Sequence, residues 1–225
     1  MSFKEEFKQE AKIEKQKFKK MSRQDKIWYI WEYYKFHIAA VLGVIGVIGV
    51  IATSIYNSTF DTALYAVVVN NRTDQEVDFE PLTTGFREYM GFGEKDEIFV
   101  ESMFVSYDDV SEFSYASMAK ISALIASKEL DIMISDTENL DHYVGMDGLM
   151  HLEDVLPADM AQQLEDRFYY GTDESGQTYV AAIDISGTDF AASTGIVLEP
   201  ALYGVISNTQ RTDTAIALLR YIFGL

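Results

Sequence analysis

The stretch FHIAAVLGVIGVIGVIATSIYNSTF, residues 36–60, decides how the chain is organised, because it contains no Asp, Glu, Lys or Arg. As an α-helix its 25 residues would be about 37 Å long, and the hydrocarbon core of a bilayer is about 30 Å thick. A helix inside a soluble domain rarely needs such an uncharged length. We therefore predict one transmembrane helix at residues 36–60, between a tail at residues 1–35 and a domain at residues 61–225.

The two flanks of this segment differ in charge, which predicts its orientation. Residues 1–37 hold ten Lys or Arg against six acidic residues, whereas residues 57–225 hold eight against thirty. Basic flanks stay in the cytoplasm, and aromatic side chains collect at both membrane borders. The inner border carries Trp28, Tyr29, Trp31, Tyr33, Tyr34 and Phe36, and the outer border carries Tyr56 and Phe60. We therefore predict a single-pass cell-membrane protein with a cytoplasmic N-terminus and an extracellular C-terminal domain.

A cleaved export signal is the alternative interpretation of the same segment. Ala52-Thr53-Ser54 has small residues at the spacing that a signal peptidase accepts. The preceding basic region of about 37 residues is longer than the short basic region of ordinary signals, which favours an uncut anchor. Both interpretations place residues 61–225 outside the cytoplasm.

Two further features of the N-terminal part leave alternatives open. Residues 1–21 mix Lys and Glu with phenylalanine, which fits either a helix on the inner leaflet or a solvated tail that only fixes topology. Gly43, Gly46 and Gly49 recur every three residues, and small residues of this kind permit the close approach of a second helix. Glycine is also common in membrane helices that do not associate.

The bulk properties of residues 61–225 exclude several classes of function. The length suits one domain, and the absence of cysteine excludes disulfides and thiol chemistry. The strong acidity argues against nucleic acid and anionic lipid as partners, since both select clustered Lys and Arg. None of the common nucleotide-binding, nucleophile-elbow, zinc-protease or redox motifs occurs. We expect no catalytic residue, no resident metal and no cofactor, and hence a protein that is not an enzyme.

Apolar runs alternate with amphipathic segments in the first half of this domain. Leu64–Asn70 is a continuous apolar run, typical of a strand that is buried on both faces. Alanines at positions 116, 119, 123 and 126, with Ile121, Leu124 and Ile125, predict a core-facing stripe on a helix. The full set comprises strands at 64–70, 98–105 and 130–135 and helices at 81–90, 110–128 and 137–144. The alternation predicts an α/β fold with a mainly parallel sheet and helices on both faces.

The second half departs from this alternation. A helix is predicted at 158–168, followed by a hairpin over residues 169–180 with its turn at Asp173–Gly176. Residues 183–193 are small and polar and predict a loop. Residues 195–207 predict a strand that Pro200 disturbs, and residues 213–223 predict a closing amphipathic helix.

The order of these segments resembles the extracellular solute-binding proteins of ABC importers. The segments that carry the resemblance are LDIMISD at 130–136, LDHYVGMDGLMHLEDVLP at 140–157, GQTYVA at 176–181 and YGVISN at 203–208. The resemblance implies one lobe of a type II solute-binding protein, preceded here by a single transmembrane helix. The phrase WEYYKFH at 31–37 also resembles a group of membrane-anchored, functionally unassigned proteins of low-GC Gram-positive bacteria.

The chain departs from that family in the place of the second lobe. Only residues 186–194 stand where the family has a lobe of about a hundred residues, and a cleft needs two walls to bury a ligand. The resemblance therefore implies a shallow site at the carboxyl ends of the strands, or a wall that another protein supplies. The candidate ligand-binding residues are Asn70, Asn71, Ser106, Tyr107, Asp136 and Thr137. Such polar residues at strand ends are also ordinary turn formers and helix caps.

Two other ligand chemistries are weaker hypotheses. His142 and His151, with Asp141, Asp147, Glu153 or Asp154, would be a zinc site if three of them converged. A platform of exposed tyrosines would bind a sugar or an aromatic ligand, and the candidates are Tyr107, Tyr143, Tyr169, Tyr170 and Tyr179. Tyrosine at strand positions is equally ordinary packing.

These expectations combine into a membrane-anchored extracytoplasmic binding or interaction module that resembles a truncated solute-binding protein. Its partners would be the membrane and either a small-molecule ligand or a membrane protein, and not nucleic acid. The alternatives are a cell-surface hydrolase that uses carboxylates and a scaffold subunit of an envelope complex.

Overall fold

A computed structural model describes residues 12, 13, 15, 17, 19, 21–71, 79–108 and 111–225. The chain divides into two compact units, Met1–Thr59 and Phe60–Leu225. The prediction for the tail at residues 1–21 lies mostly outside the described residues.

The first unit contains helix α1, Arg23–Asn57. Ser22 caps its N-terminus, because its side chain accepts a hydrogen bond from the backbone N–H of Asp25 at 3.2 Å. Within the stretch Tyr34–Asn57, an 18-residue window has a mean hydropathy of 2.5 and no buried part, so the stretch is long and apolar enough to cross a membrane. The apolar helix predicted at 36–60 is therefore present, and its composition is compatible with a membrane anchor or a signal sequence.

The second unit is an α/β domain built on one six-stranded sheet with the strand order β2-β1-β3-β6-β5-β4. In chain order its elements are β1 (Asp61–Val69), α2 (Glu80–Met90), β2 (Asp96–Met103), α3 (Glu112–Ala126), β3 (Ile132–Ser135), α4 (Thr137–Val144), α5 (Ala158–Gln163), β4 (Phe168–Thr172), β5 (Thr178–Asp184), α6 (Asp189–Thr194), β6 (Leu202–Val205) and α7 (Thr212–Phe223). Single turns of 3-10 helix occur at Leu152–Asp154 and Glu165–Arg167.

The sheet is mixed, which corrects the prediction of a mainly parallel sheet. Strand β1 pairs in parallel with β2 and with β3. The pairs β3–β6, β6–β5 and β5–β4 are all antiparallel. One of these antiparallel pairs has a local cause, since the tight turn at Asp173–Gly176 sends β5 back along β4 and no helix crosses between them. The strand–helix alternation therefore governs only the first half of the domain.

Helices cover both faces of this sheet. Successive side chains of β1 alternate between two buried clusters, as a strand that is buried on both sides requires. Leu64, Ala66 and Val68 join the cluster that contains residues of α2, α6 and α7. Tyr65, Val67 and Val69 join the cluster that contains residues of α3 and α4.

Three predictions for the second half differ from the structure. The loop predicted at 183–193 contains the end of β5 and helix α6, because Thr188 caps α6 by accepting a hydrogen bond from the N–H of Ala191 at 3.2 Å. The helix predicted at 158–168 ends at Gln163, and Phe168 already belongs to β4. The strand predicted at 195–207 is reduced to Leu202–Val205, with a cis peptide bond between Glu199 and Pro200 before it.

The alanine stripe predicted to face the core from α3 is exposed. Only Ser114 and Ile121 of this helix are buried, whereas Ala116, Ala119, Ala123 and Ala126 lie on the outside. The prediction of the inner face was wrong because this helix is apolar on nearly all sides, so its periodicity does not identify one inner face. Packing on the sheet selects the side that carries Ile121, and Leu124 and Ile125 are partly buried against the same cluster, as predicted.

Candidate functional site

The carboxyl ends of β1, β2 and β3 lie at one edge of the sheet, because these neighbouring strands run in parallel. All six predicted ligand-binding residues follow these three strands directly or within a few residues. The structure therefore places the candidates along one edge, and the contacts of each side chain determine what it is free to do.

Asn70 is buried and its amide is fully engaged. Its Nδ2 donates to the carbonyl of Val105 at 2.8 Å, and its Oδ1 accepts from the N–H of Val105 at 2.8 Å. The amide thus replaces a backbone neighbour and extends the β1–β2 pairing by one step. Asn70 also has φ of 59°, a left-handed conformation that asparagine tolerates better than most residues. Its role in the structure is to terminate β1.

Asn71 holds the loop before β6 in the same reciprocal way. Its Nδ2 donates to the carbonyl of Gly195 at 2.9 Å, and its Oδ1 accepts from the N–H of Val197 at 2.8 Å. These bonds join residues that are more than a hundred positions apart in sequence. Both functional atoms of this amide are therefore engaged within the domain.

Asp136 caps helix α4. Its Oδ1 accepts from the backbone N–H of Asn139 at 3.0 Å and from Nδ2 of Asn139 at 2.8 Å. Thr137 follows as the first residue of the helix and is partly exposed. Asn139 is buried, and its Oδ1 has no hydrogen-bond partner among the described residues. The carboxylate of Asp136 is thus committed to the helix terminus.

Ser106 and Tyr107 make different kinds of contact at this edge. The backbone of Ser106 is held by Ser114 of α3, whose Oγ accepts from its N–H at 2.8 Å and donates to its carbonyl at 3.1 Å. The ring of Tyr107 lies against the exposed ring of His142, with centroids 4.3 Å apart. Tyr107 and His142 therefore form a partly exposed aromatic pair at this edge.

The pKa of the Tyr107 phenol is raised above the ordinary value of tyrosine. Burial raises the pKa of Tyr107, the phenol of Tyr143 opposes this effect, and the carboxylates of Asp136 and Glu138 add to it. Burial also raises the pKa of Tyr143, and its interaction with Tyr107 acts in the same direction. No described residue stands at hydrogen-bonding geometry to the Tyr107 hydroxyl. Its interaction with the phenol of Tyr143 therefore lacks the geometry of a full hydrogen bond.

The other tyrosines of the proposed platform are not equally available. Tyr143 and Tyr179 are buried, and the ring of Tyr179 stacks on His151 with centroids 3.9 Å apart. Tyr169 donates from its hydroxyl to Oδ1 of Asp141 at 2.7 Å. Tyr170 of β4 is exposed. Of the five, Tyr170 is exposed and Tyr107 and Tyr169 are partly exposed. Tyr107 follows β2 and Tyr170 belongs to β4, the strands at opposite edges of the sheet.

The zinc hypothesis finds no ligand set in the described part of the chain. No group of three or more His, Asp or Glu side chains in residues 12–225, apart from the gaps named above, is arranged to hold a metal ion. Glu153 instead accepts from the N–H of Val180 at 2.9 Å, and Asp147 accepts from the N–H of Glu174 at 3.2 Å. These carboxylates brace the β4–β5 hairpin.

One concavity that the sequence did not predict lies between α6 and the end of α7. It has a volume of about 670 Å³ and is lined by Phe190, Ser193, Tyr221, Phe223 and residues adjacent to them. Arg167 stands close to it, with its guanidinium 5.2 Å from the ring centroid of Phe223 and its Nη1 donating to the carbonyls of Asp184 and Ser186 at 3.1 Å. Sequence inspection missed it because α6 was expected to be a loop.

Comparison with known proteins returns no relative. No protein family, no curated protein and no solved structure matches the chain.

Proposed function

We propose that the chain is a single-pass cell-membrane protein whose acidic α/β domain lies outside the cytoplasm and acts as a non-enzymatic binding or interaction module. The proposal keeps the resemblance to one lobe of a type II solute-binding protein. Its support is the uncharged stretch of α1 together with the charge asymmetry of its flanks. The domain is tethered so that it meets partners in the plane of the membrane.

The side chains that remain exposed at the predicted edge indicate which kind of partner the proposal favours. Hydrogen bonds within the domain engage the side chains of Asn70, Asn71 and Asp136. What the edge offers outward is the aromatic pair Tyr107 and His142 with the partly exposed Thr137. Aromatic side chains at a shallow surface are typical of protein contacts rather than of enclosed solute sites. A membrane protein is therefore the favoured partner, and a small molecule is the alternative.

The test uses the full chain, extracted from its native membrane in mild detergent after chemical cross-linking. We expect a membrane protein to co-purify with the wild-type chain and to be lost with Tyr107→Ala or His142→Ala. The matched control is Tyr170→Ala, which removes an exposed tyrosine from the opposite edge strand. Retention of the partner by Tyr107→Ala would remove this edge from the proposal. A rise in Tm with a metabolite from a broad panel, and no protein partner, would instead favour solute binding.

A further inference from the structure

The cavity between α6 and the end of α7 is large enough for a small molecule and is separate from the Tyr107 edge. Its volume is about 670 Å³, within the range of small-molecule sites in proteins. Phe190 and Ile222 of its lining belong to the buried cluster on the α2, α6 and α7 side of the sheet. Tyr107 packs against the cluster on the other side. The cavity is therefore a second candidate site.

Aromatic rings form part of the cavity wall. Phe190 of α6 and Tyr221 and Phe223 of α7 line it, and the last two are partly exposed. Contacts with α2 fix the ring of Tyr221, whose centroid lies 5.7 Å from that of Phe86 and 5.4 Å from that of Tyr89. Rings that core packing already holds in place bind an apolar body at little further cost in conformational entropy.

A carboxylate without a basic partner lies in the same wall. Asp189 is the first residue of α6, lines the cavity and is exposed. No ion pair between described residues involves it. Asp189 therefore offers a negative charge at the cavity that the described part of the domain does not neutralise.

Arg167 brings a positive charge to the neighbouring part of the wall. Its guanidinium lies 5.2 Å from the ring centroid of Phe223, and its Nη1 donates to the carbonyl of Ser186, next to the lining residue Gly187. Lys120, Arg211 and Arg220 pair with carboxylates, whereas no ion pair between described residues involves Arg167. Two opposite charges, neither of them in such an ion pair, thus flank one aromatic cavity.

We propose that this cavity binds a zwitterionic small molecule with an apolar body, the chemical class of the apolar amino acids. Its ammonium group pairs with Asp189, its carboxylate pairs with Arg167, and its body lies on the rings. Residues 57–225 hold thirty acidic against eight basic residues, so the domain repels anions. A simple cation would gain Asp189 but would also meet the charge of Arg167. A zwitterion carries no net charge and pairs with both residues.

Probes with a common body separate the roles of the two charges. L-phenylalanine carries both groups, phenethylamine lacks the carboxylate, and 3-phenylpropionate lacks the ammonium group. L-leucine is a second zwitterion with a smaller body. Saturation-transfer difference NMR on the purified full-length chain in detergent measures each affinity. We expect L-phenylalanine to bind about tenfold more tightly than phenethylamine or 3-phenylpropionate, because each of these leaves one charged side chain without a partner.

Substitution of the two charged residues should change selectivity among the probes. Asp189→Asn should lower the affinity for L-phenylalanine about tenfold without lowering that for 3-phenylpropionate, which has no ammonium group to lose a partner. Arg167→Gln should lower the affinity for L-phenylalanine without lowering that for phenethylamine. Asp189 is exposed, so Asp189→Asn keeps the test decisive if Arg167→Gln does not fold. A purely structural role of either residue would weaken all probes equally.

A bulky side chain tests whether the cavity itself is the site. Ser193→Trp adds an indole ring at a lining position of α6, and Ala192→Trp adds it at the adjacent exposed position, which does not line the cavity. We expect Ser193→Trp to abolish detectable binding and Ala192→Trp to leave the affinity unchanged. Tyr107→Ala should also leave it unchanged, because Tyr107 packs on the other side of the sheet.

Four results would overturn the inference. One is that neither L-phenylalanine nor L-leucine binds at millimolar concentration. Another is that phenethylamine or 3-phenylpropionate binds as tightly as L-phenylalanine. The third is that binding persists in Ser193→Trp, and the fourth is that Asp189→Asn weakens all probes equally. The inference does not rest on the proposed function, since binding to the purified chain is measured without the membrane or a partner protein.

Discussion

Arg211 places its Nε 2.8 Å from Oδ2 of Asp131, a carboxylate that is completely buried at the start of β3. The same carboxylate accepts from the backbone N–H of Tyr65 in β1 at 2.8 Å and from the hydroxyl of Thr209. Arg211 also donates to the carbonyl of Glu129 at 2.6 Å. One ion pair thus joins β1, the entry to β3 and the loop before α7.

Substitution of Arg211 by methionine leaves the buried carboxylate of Asp131 without its charged partner. We expect the free energy of unfolding to fall by about 3–5 kcal/mol, as for other buried ion pairs that lose one member. Urea unfolding of the full chain in detergent measures it. The matched control is Arg220→Met, which breaks a pair with Asp159 that is largely exposed and should cost no more than about 1 kcal/mol. Equal costs for the two variants would contradict the assigned role of Asp131.

A methyl group added at Gly171 tests the packing of β4 against α4. A Cβ at this position would lie 2.7 Å from Cγ1 of Val144 and 3.1 Å from Cβ of Ala181. We expect Gly171→Ala to destabilise the domain by about 1–3 kcal/mol, the usual cost of overpacking a core. Gly93→Ala is the control, because its Cβ would meet only Oδ2 of Asp96 at 3.5 Å, an ordinary contact. Thermal unfolding of both variants measures the difference in stability. A Gly171→Ala variant with unchanged stability would show that this region is loosely packed.

Replacement of Asn70 by alanine removes the amide that pairs with both backbone groups of Val105. We expect a loss of about 2–4 kcal/mol, since two buried backbone groups lose partners and alanine is strained at this left-handed position. Thr137→Ala is the comparison at the same edge, because Thr137 is partly exposed and follows β3 as Asn70 follows β1. If Asn70 serves ligand binding rather than the fold, Asn70→Ala will instead keep its unfolding midpoint in urea.

Alkaline pH should unfold the domain cooperatively, because several tyrosines are held neutral in the folded state. Burial, followed by the hydrogen bond to Asp141, raises the pKa of Tyr169 to about 12. Burial also raises the pKa of Tyr203 well above its ordinary value, and Asp131 adds to this effect. The unfolded chain releases these protons near pH 10, so stability is full below that pH and falls as pH rises toward the folded values. Phenolate absorbance and circular dichroism should change together, and early phenolate formation without unfolding would contradict this account.

The first half of the fold was predictable because each signal there is local. Asp136 is a residue type that favours the start of a helix, and the helix predicted at 137–144 is the observed α4. The apolar run at Leu64 predicts β1, and Gly91 ends α2 in the left-handed conformation expected of a C-terminal glycine. The predicted hairpin at 169–180 is likewise present.

The parts that sequence inspection missed depend on long-range partners. The mixed sheet arises from the pairing of β6 with β3 and β5, which no local pattern encodes. The true inner face of α3 depends on its contact with the sheet, since its exposed alanines and its buried Ile121 are all apolar. Asp131 stood inside a predicted strand, and a charge in such an apolar run is the signal that would have indicated a buried partner.

The candidate ligand-binding edge shows the same limit of prediction from sequence. The positions of Asn70, Asn71, Ser106, Tyr107, Asp136 and Thr137 after their strands follow from the predicted order of elements. What each side chain does there depends on distant partners such as Val105, Gly195 and Val197. Sequence alone could not distinguish an available amide from an engaged one.

The central claim is that α1 crosses the membrane once, with its basic end inside and the acidic domain outside. Protease added to intact cells that express the full chain, tagged at each end, tests it most directly. The account predicts that the C-terminal tag and residues 61–225 are degraded, while the N-terminal tag survives on a membrane-bound fragment until the cells are permeabilised. Protection of the C-terminal tag in intact cells, or recovery of the uncut chain in the soluble fraction, would contradict it.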